Sequence, residues 1–188
     1  MTAPAVRFAG HRRMRLRHVV AGAIAALGLA VASAVPAVSA QATDAHARAA
    51  SANAALVHKA FEAWREGRGS VFDLLADDVE WTVAGHSPVS GTYRSRAAFM
   101  DDAVQPIVAR LATPIVPEVR HVVARGDDVV VFWRGRATTH DGSAYENDYA
   151  WHLVLQDGRI VRATAFLDTW ALDRLMRDRS DAHRRNAP

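Results

Sequence analysis

The sequence predicts an α+β domain: a curled antiparallel sheet with helices packed across one opening of the curl. Three observations predict it. Apolar residues recur at three- and four-residue spacing early in the domain, they alternate in its second half, and two Asp-Gly pairs punctuate the alternating part. The element order is helix, helix, strand, helix, then four strands in succession. A strongly twisted antiparallel sheet curls, so its concave face and the helices that precede it enclose a cavity.

Residues 1–40 stand apart from that domain. They carry Arg7, Arg12, Arg13, Arg15 and Arg17 and no acid, then an alanine- and valine-rich run from Val19 to about Ala32, then Val38-Ser39-Ala40. A basic start, a short apolar stretch and a small-residue exit are the parts of a cleavable secretory signal peptide. The alternative is a transmembrane anchor, which needs about 20 consecutive apolar residues. Gly22, Gly28, Ser33 and Pro36 interrupt this run. The protein is therefore expected to be exported, periplasmic or secreted, with its mature chain beginning near Gln41 and no stable membrane anchor after cleavage. Arg12-Arg13 resembles a twin-arginine signal, but Arg15 stands where that signal prefers an apolar aromatic residue. Met14 is an alternative start that would remove the pair. The route, general secretory or twin-arginine, stays open.

The signal also distorts the charge. The whole chain has 23 Lys+Arg against 20 Asp+Glu, but residues 1–40 hold five of the former and none of the latter, so the remainder carries 18 against 20, a net −2. The basic balance belongs to the signal and does not argue for nucleic acid as a partner. With no cysteine in the chain, thiol catalysis, Cys-ligated zinc and iron–sulfur chemistry are excluded. The nine histidines are scattered, with no His-x-x-x-His or His-x-His pair on a plausible element, so no metal and no other cofactor is expected.

Within the mature chain, residues 41–50 are expected as a flexible N-terminus. From Ser51, the residues Leu56, Val57, Ala60, Phe61 and Trp64 form one apolar stripe of a helix that Gly67 and Gly69 end. Val71, Phe72, Leu74 and Leu75 fit a second, short helix. Val79 to Val83 alternates as a strand, and Gly85 to Gly91 is a loop. Ser95 is placed to cap a third helix running to about Ala109, with Pro106 threatening its last turn. Ile115–Ala124, Val129–Thr139, Tyr145–Leu155 and Arg159–Asp168 are strand candidates separated by turns. The tail from Arg174 to Arg185 mixes both charges and reads as a solvated helix end, with 177–188 as a polar C-terminal tail.

The segment Leu74-Leu75-Ala76-Asp77-Asp78-Val79-Glu80-Trp81 resembles the helix-to-strand junction of SnoaL-like and ketosteroid isomerase-like proteins. Gly85-His86-Ser87-Pro88 with Gly91-Thr92-Tyr93-Arg94 resembles their next loop and helix start. Asp157-Gly158-Arg159-Ile160 and Phe166-Leu167-Asp168-Thr169 resemble the end of their sheet. The likeness spans roughly residues 52–176, which places a domain over 51–176 in the SnoaL-like branch of the nuclear transport factor 2-like superfamily. It implies a cone-shaped curved antiparallel sheet with N-terminal helices enclosing a deep pocket, the cystatin-like α+β roll. The superfamily holds polyketide cyclases, isomerases, epoxide hydrolases, dehydratases and non-catalytic binding modules, so fold alone does not choose a function.

Asp168 is the first candidate. The resemblance places a general acid/base aspartate of the cyclases near this position, and a carboxylate in an apolar pocket has its pKa raised toward working pH. An Asp before Thr-Trp at a strand-to-helix junction is equally a helix cap. His86 is a candidate proton shuttle at the pocket mouth, or a solvated loop histidine. Period two places Asn147, Tyr149, Trp151 and Leu153 on one face of their strand, facing the pocket, and Glu146, Asp148, Ala150 and His152 on the other. Asn147 on the inward face needs a hydrogen-bond partner, which favours a polar cavity. Trp64, Trp81 and Tyr93 join the expected binding wall, with Trp133 and Trp170 completing an aromatic interior. Of Phe132 and Trp133, only one can face inward. A ketosteroid isomerase-like mechanism is not expected, because Trp81-Thr82-Val83-Ala84 and Trp151 stand where the resemblance would place acids. The Asp-Arg-Asp arrangement of limonene epoxide hydrolases is not recognisable either.

The expected function is therefore a pocket for a small hydrophobic molecule. It is read either as a cofactor-independent cyclase, isomerase or dehydratase using Asp168, or as a binding module, or as a structural dimer. A homodimer is expected in each case, through a convex sheet face that includes Val129-Val130-Val131.

Overall fold

A computed structural model describes residues 35–185, with side chains described for 41–177. The expected signal falls on residues 1–40, and its basic and apolar regions lie outside the described residues. The domain lies within residues 39–188.

Helix α1 spans Val35–Arg65 and buries Val57 and Phe61. Residues 41–50, expected to be flexible, are instead part of this helix, exposed from Gln41 to Arg48. Their alanine-rich composition explains the correction, since alanine has the highest helix propensity. A 3-10 turn at Val71–Leu74 follows, with Ser70 and Asp73 forming a reciprocal capping box. Strand β1 is Leu75–Val83 and β2 is Gly91–Tyr93.

The third predicted helix is a composite: α2 at Arg96–Phe99, a π-helical turn at Met100–Val104, and α3 at Gln105–Val108. Ser95 caps it, its Oγ accepting from the Ala98 N–H at 3.1 Å. Pro106 does not end it. Proline has no N–H to give the carbonyl of Asp102, and just before it the Gln105 N–H reaches back five residues to Met100. The helix widens by one turn and continues.

Strands β3 (Val116–Arg125), β4 (Asp128–Thr138), β5 (Ala144–Gln156) and β6 (Arg159–Leu167) form the meander, and α4 covers Thr169–Arg185. The order across the curved, unclosed sheet is β2-β1-β6-β5-β4-β3, antiparallel except for β1 beside β6. Asp157 and Gly158, both at positive φ, make the tight β5–β6 turn that the Asp-Gly pair signals.

Alternation holds along the long strands. Val129, Val131 and Trp133 of β4 are buried against Trp151, Leu153 and Leu155 of β5, and Ile160, Ala163 and Ala165 of β6 join them. Val129 and Val131 therefore belong to the core and not to the convex face, where only Val130 of the three lies. Phe132, 41% exposed, is there too, while Trp133 points inward. Trp170 is also corrected: it is 73% exposed. At the start of α4 the period changes from 2 to 3.6, and Ala171, Leu172 and Leu175 take the inward side instead.

Candidate functional site

The concave face of the sheet and the composite helix enclose a cavity of about 600 Å³. Its floor is aromatic. Trp151 stands perpendicular to Trp81 at 4.9 Å and 89°, and nearly so to Trp133 at 4.8 Å and 81°. Phe99 stacks on Trp81 at 4.3 Å, and Tyr149 stacks on Trp133 at 3.9 Å with planes 7° apart. Gly135 makes that last stack possible. A Cβ there would lie 3.0 Å from both Ile115 Cγ2 and Trp133 Cζ3, and 3.2 Å from Tyr149 Cε2. The indole N–H groups of Trp133 and Trp151 are buried without a hydrogen-bond acceptor. Aromatic rings pack around both indoles.

The composite helix supplies the opposite wall through Met100, Asp102, Ala103, Val104, Gln105, Ile107 and Val108, and α4 adds Leu172 and Met176. Exposed Asp102, Gln105, Val108, Thr113 and Pro88 ring the mouth. Tyr93 sits nearby, its phenol pushed above its ordinary pKa by burial and then by the charge of Asp102.

Of the residues expected to bind, Trp64, Trp81, Tyr93, Tyr149 and Trp151 line the cavity. Asn147 does not. It is 3% exposed, and its amide is consumed in a structural clamp. Oδ1 accepts the Asp168 N–H at 2.9 Å, while Nδ2 donates to the Asp168 carbonyl at 2.9 Å and to the Tyr145 hydroxyl at 3.2 Å. Its partner is thus the backbone of the β6–α4 junction and not a ligand. The Tyr145 hydroxyl in turn meets that of Tyr149 at 3.1 Å. Burial raises the pKa of both phenols, Tyr149 well above its ordinary value, so both stay neutral across the physiological range.

Asp168 lies outside the cavity wall, with its side chain exposed. Its Oδ1 accepts the N–H groups of Trp170 at 2.9 Å and Ala171 at 3.1 Å, capping α4. His86 is also exposed and does not line the cavity, although Pro88 and Val89 of the same loop do. Ser87 and Ser90 tie that loop through their hydroxyls, 3.0 Å apart. The two residues expected to carry chemistry are therefore apart from the pocket that the aromatic residues build. Among the described residues no cluster of three or more His, Cys, Asp or Glu is placed to hold a metal ion.

The wall from Phe99 to Val108 was the part that sequence reasoning missed. Phe99, Ala103 and Ile107 at four-residue spacing were its signal. Phe72 was missed as well.

Residues 57–163 match the family model of the SnoaL-like domain. Solved structures agree on the fold. Bal32a, from a soil-derived mobile gene cassette, is 20% identical, with a TM-score of 0.57 over 68% of this chain and 98% of its own. An NTF2-like protein of unknown function from Burkholderia pseudomallei is 23% identical, TM-score 0.55, over 66% of this chain and 96% of its own. TerC, co-crystallised with polyporic acid, is 22% identical, TM-score 0.54, over 67% of this chain and 98% of its own. No curated protein sequence matches the chain.

Proposed function

This chain belongs to the SnoaL-like domain family, a fold that polyketide cyclases and isomerases share, and from that membership and the cavity we propose an exported binding module. It holds a small, largely apolar molecule without transforming it. The composition of the cavity wall carries this reading: mostly aromatic and aliphatic side chains, with Ser70, Gln105 and Thr113 polar and Asp102 as its one ionic group. A volume near 600 Å³ lies within the range of small-molecule sites, about 300–1,000 Å³.

Cofactor-free cyclisation or isomerisation needs a base within hydrogen-bond reach of the substrate, with a pKa near working pH. The wall supplies two phenols pushed away from that range and a carboxylate exposed at the mouth. Asp168 already serves two backbone N–H groups of α4. The purely structural reading, in which the sheet is only an interaction surface, calls for a filled interior, which a cavity of this size opposes.

The test is a mass-spectrometric screen of molecules retained by protein of residues 41–188, run beside turnover assays on whatever is retained. A retained apolar compound that is returned unchanged is the expected result. Turnover that Asp168→Asn abolishes would replace binding with catalysis.

The proposal includes a homodimer. Phe132, Ala150 and Phe166 lie side by side across β4, β5 and β6 on the outer face, with Phe132 41% and Phe166 54% exposed. A contiguous apolar row of this kind is a binding surface, and a second copy is its simplest partner. Sedimentation of a monomer at micromolar concentration would remove it. Export is read from residues 1–40, and N-terminal sequencing of exported protein should begin near Gln41.

A further inference from the structure

The lining of the cavity narrows the chemistry of its ligand. Asp102 is the one formally charged residue on the wall, and no Lys, Arg or His accompanies it. Among the described residues no hydrogen bond or ion pair occupies its carboxylate. Arg110 follows α3, but its guanidinium already donates to the carbonyls of Pro106 and Met176. The interior beyond Asp102 is lined by Trp64, Trp81, Trp133, Trp151 and Tyr149, with Trp81, Trp133 and Trp151 almost fully buried by their neighbours. These rings give an apolar body a matching surface, while Asp102 is the one group on the wall that a charged end would meet. Tyr93, close enough to feel the charge of Asp102, keeps its proton and acts only as a neutral hydroxyl.

Resting on the binding reading above, we propose that the ligand is an amine. A hydrocarbon body, ring-bearing or branched, fills the aromatic floor, and an ammonium group lies beside Asp102 and Tyr93 at the mouth. A carboxylate ligand in the same pose meets the like charge of Asp102 and no cation. An alcohol meets neither penalty nor reward. The 22% identity to TerC reaches the fold alone, so this chain's own wall decides the ligand.

Three probes with one body separate these cases: naphthylmethylamine, naphthylmethanol and naphthoate, titrated calorimetrically into the protein at neutral pH. The amine should bind about tenfold tighter than naphthoate, the scale of one exposed ion pair gained and one like-charge contact avoided. Added salt should weaken the amine and leave the alcohol unchanged. Asp102→Asn should bring the amine to the affinity of the alcohol without moving the melting temperature, because Asp102 is exposed. Naphthoate binding as tightly as the amine, or an amine affinity indifferent to Asp102→Asn, overturns the assignment and leaves the binding reading standing. If none of the three binds, the cavity reading falls first and this proposal with it.

Discussion

Asn147 and Trp151 stand four residues apart on the same face of β5, and the fold uses them in opposite ways. Trp151 is held by contact: rings of Phe61, Trp64, Phe72, Trp81, Trp133 and Tyr149 surround it, and its N–H has no acceptor. Asn147 is held by direction: three hydrogen bonds fix its amide, and two of them grip the backbone of one residue, Asp168. The Trp151 end of the strand therefore leaves a cavity with adaptable apolar walls. The Asn147 end is closed and anchors α4, whose Leu172 and Met176 complete those walls. Period-two alternation says that both side chains point inward; it says nothing about what meets them there.

Removing the packing partner should have the larger effect. Trp151→Ala is expected to cost about 3–5 kcal/mol in urea unfolding, the scale of large aromatic deletions in cores. A loss below about 1 kcal/mol would mean that the ring contributes little to the core and would undo the contrast. Asn147→Ala should come next, at about 1–3 kcal/mol, because it leaves the partly buried N–H and carbonyl of Asp168 without their partner. Its distinguishing mark is local: amide hydrogen exchange should accelerate at Asp168 and through the first turn of α4. Uniform acceleration across the sheet would show that Asn147 acts as core and not as a clamp. Asp168→Asn should have the smallest effect, about 1 kcal/mol or less, since an amide oxygen still accepts at a helix N-terminus. Ligand affinity should be unchanged. If affinity instead fell tenfold with melting intact, Asp168 would belong to the site.

Much of this was legible in advance for a local reason. The α1 stripe, the Ser95 cap, the Asp157-Gly158 turn and the inward set Tyr149, Trp151 and Leu153 follow from spacings and backbone preferences spanning only a few residues. Trp133 over Phe132 needed one further fact, which of the two faces was buried. Asp168 remained divided between base and cap because both uses want a carboxylate at a strand-to-helix junction. What separates them is distance from the cavity, which no local pattern contains.

The sequence by itself determined the order of elements and the inward face of each long strand, because periodicity and turn chemistry act over a single strand, helix turn or hairpin. Only the tertiary structure decided what those faces meet. It brought Asn147 to the backbone of Asp168, 21 residues away. It turned Trp170 to solvent where a strand gives way to a helix. Across from the aromatic floor it set the wall of residues 99–108, carrying Asp102. The first needs the register of the β5–β6 pair, the second the place where strand period gives way to helix period, and the third the curl of the sheet, and the apolar pattern of one element gives none of them.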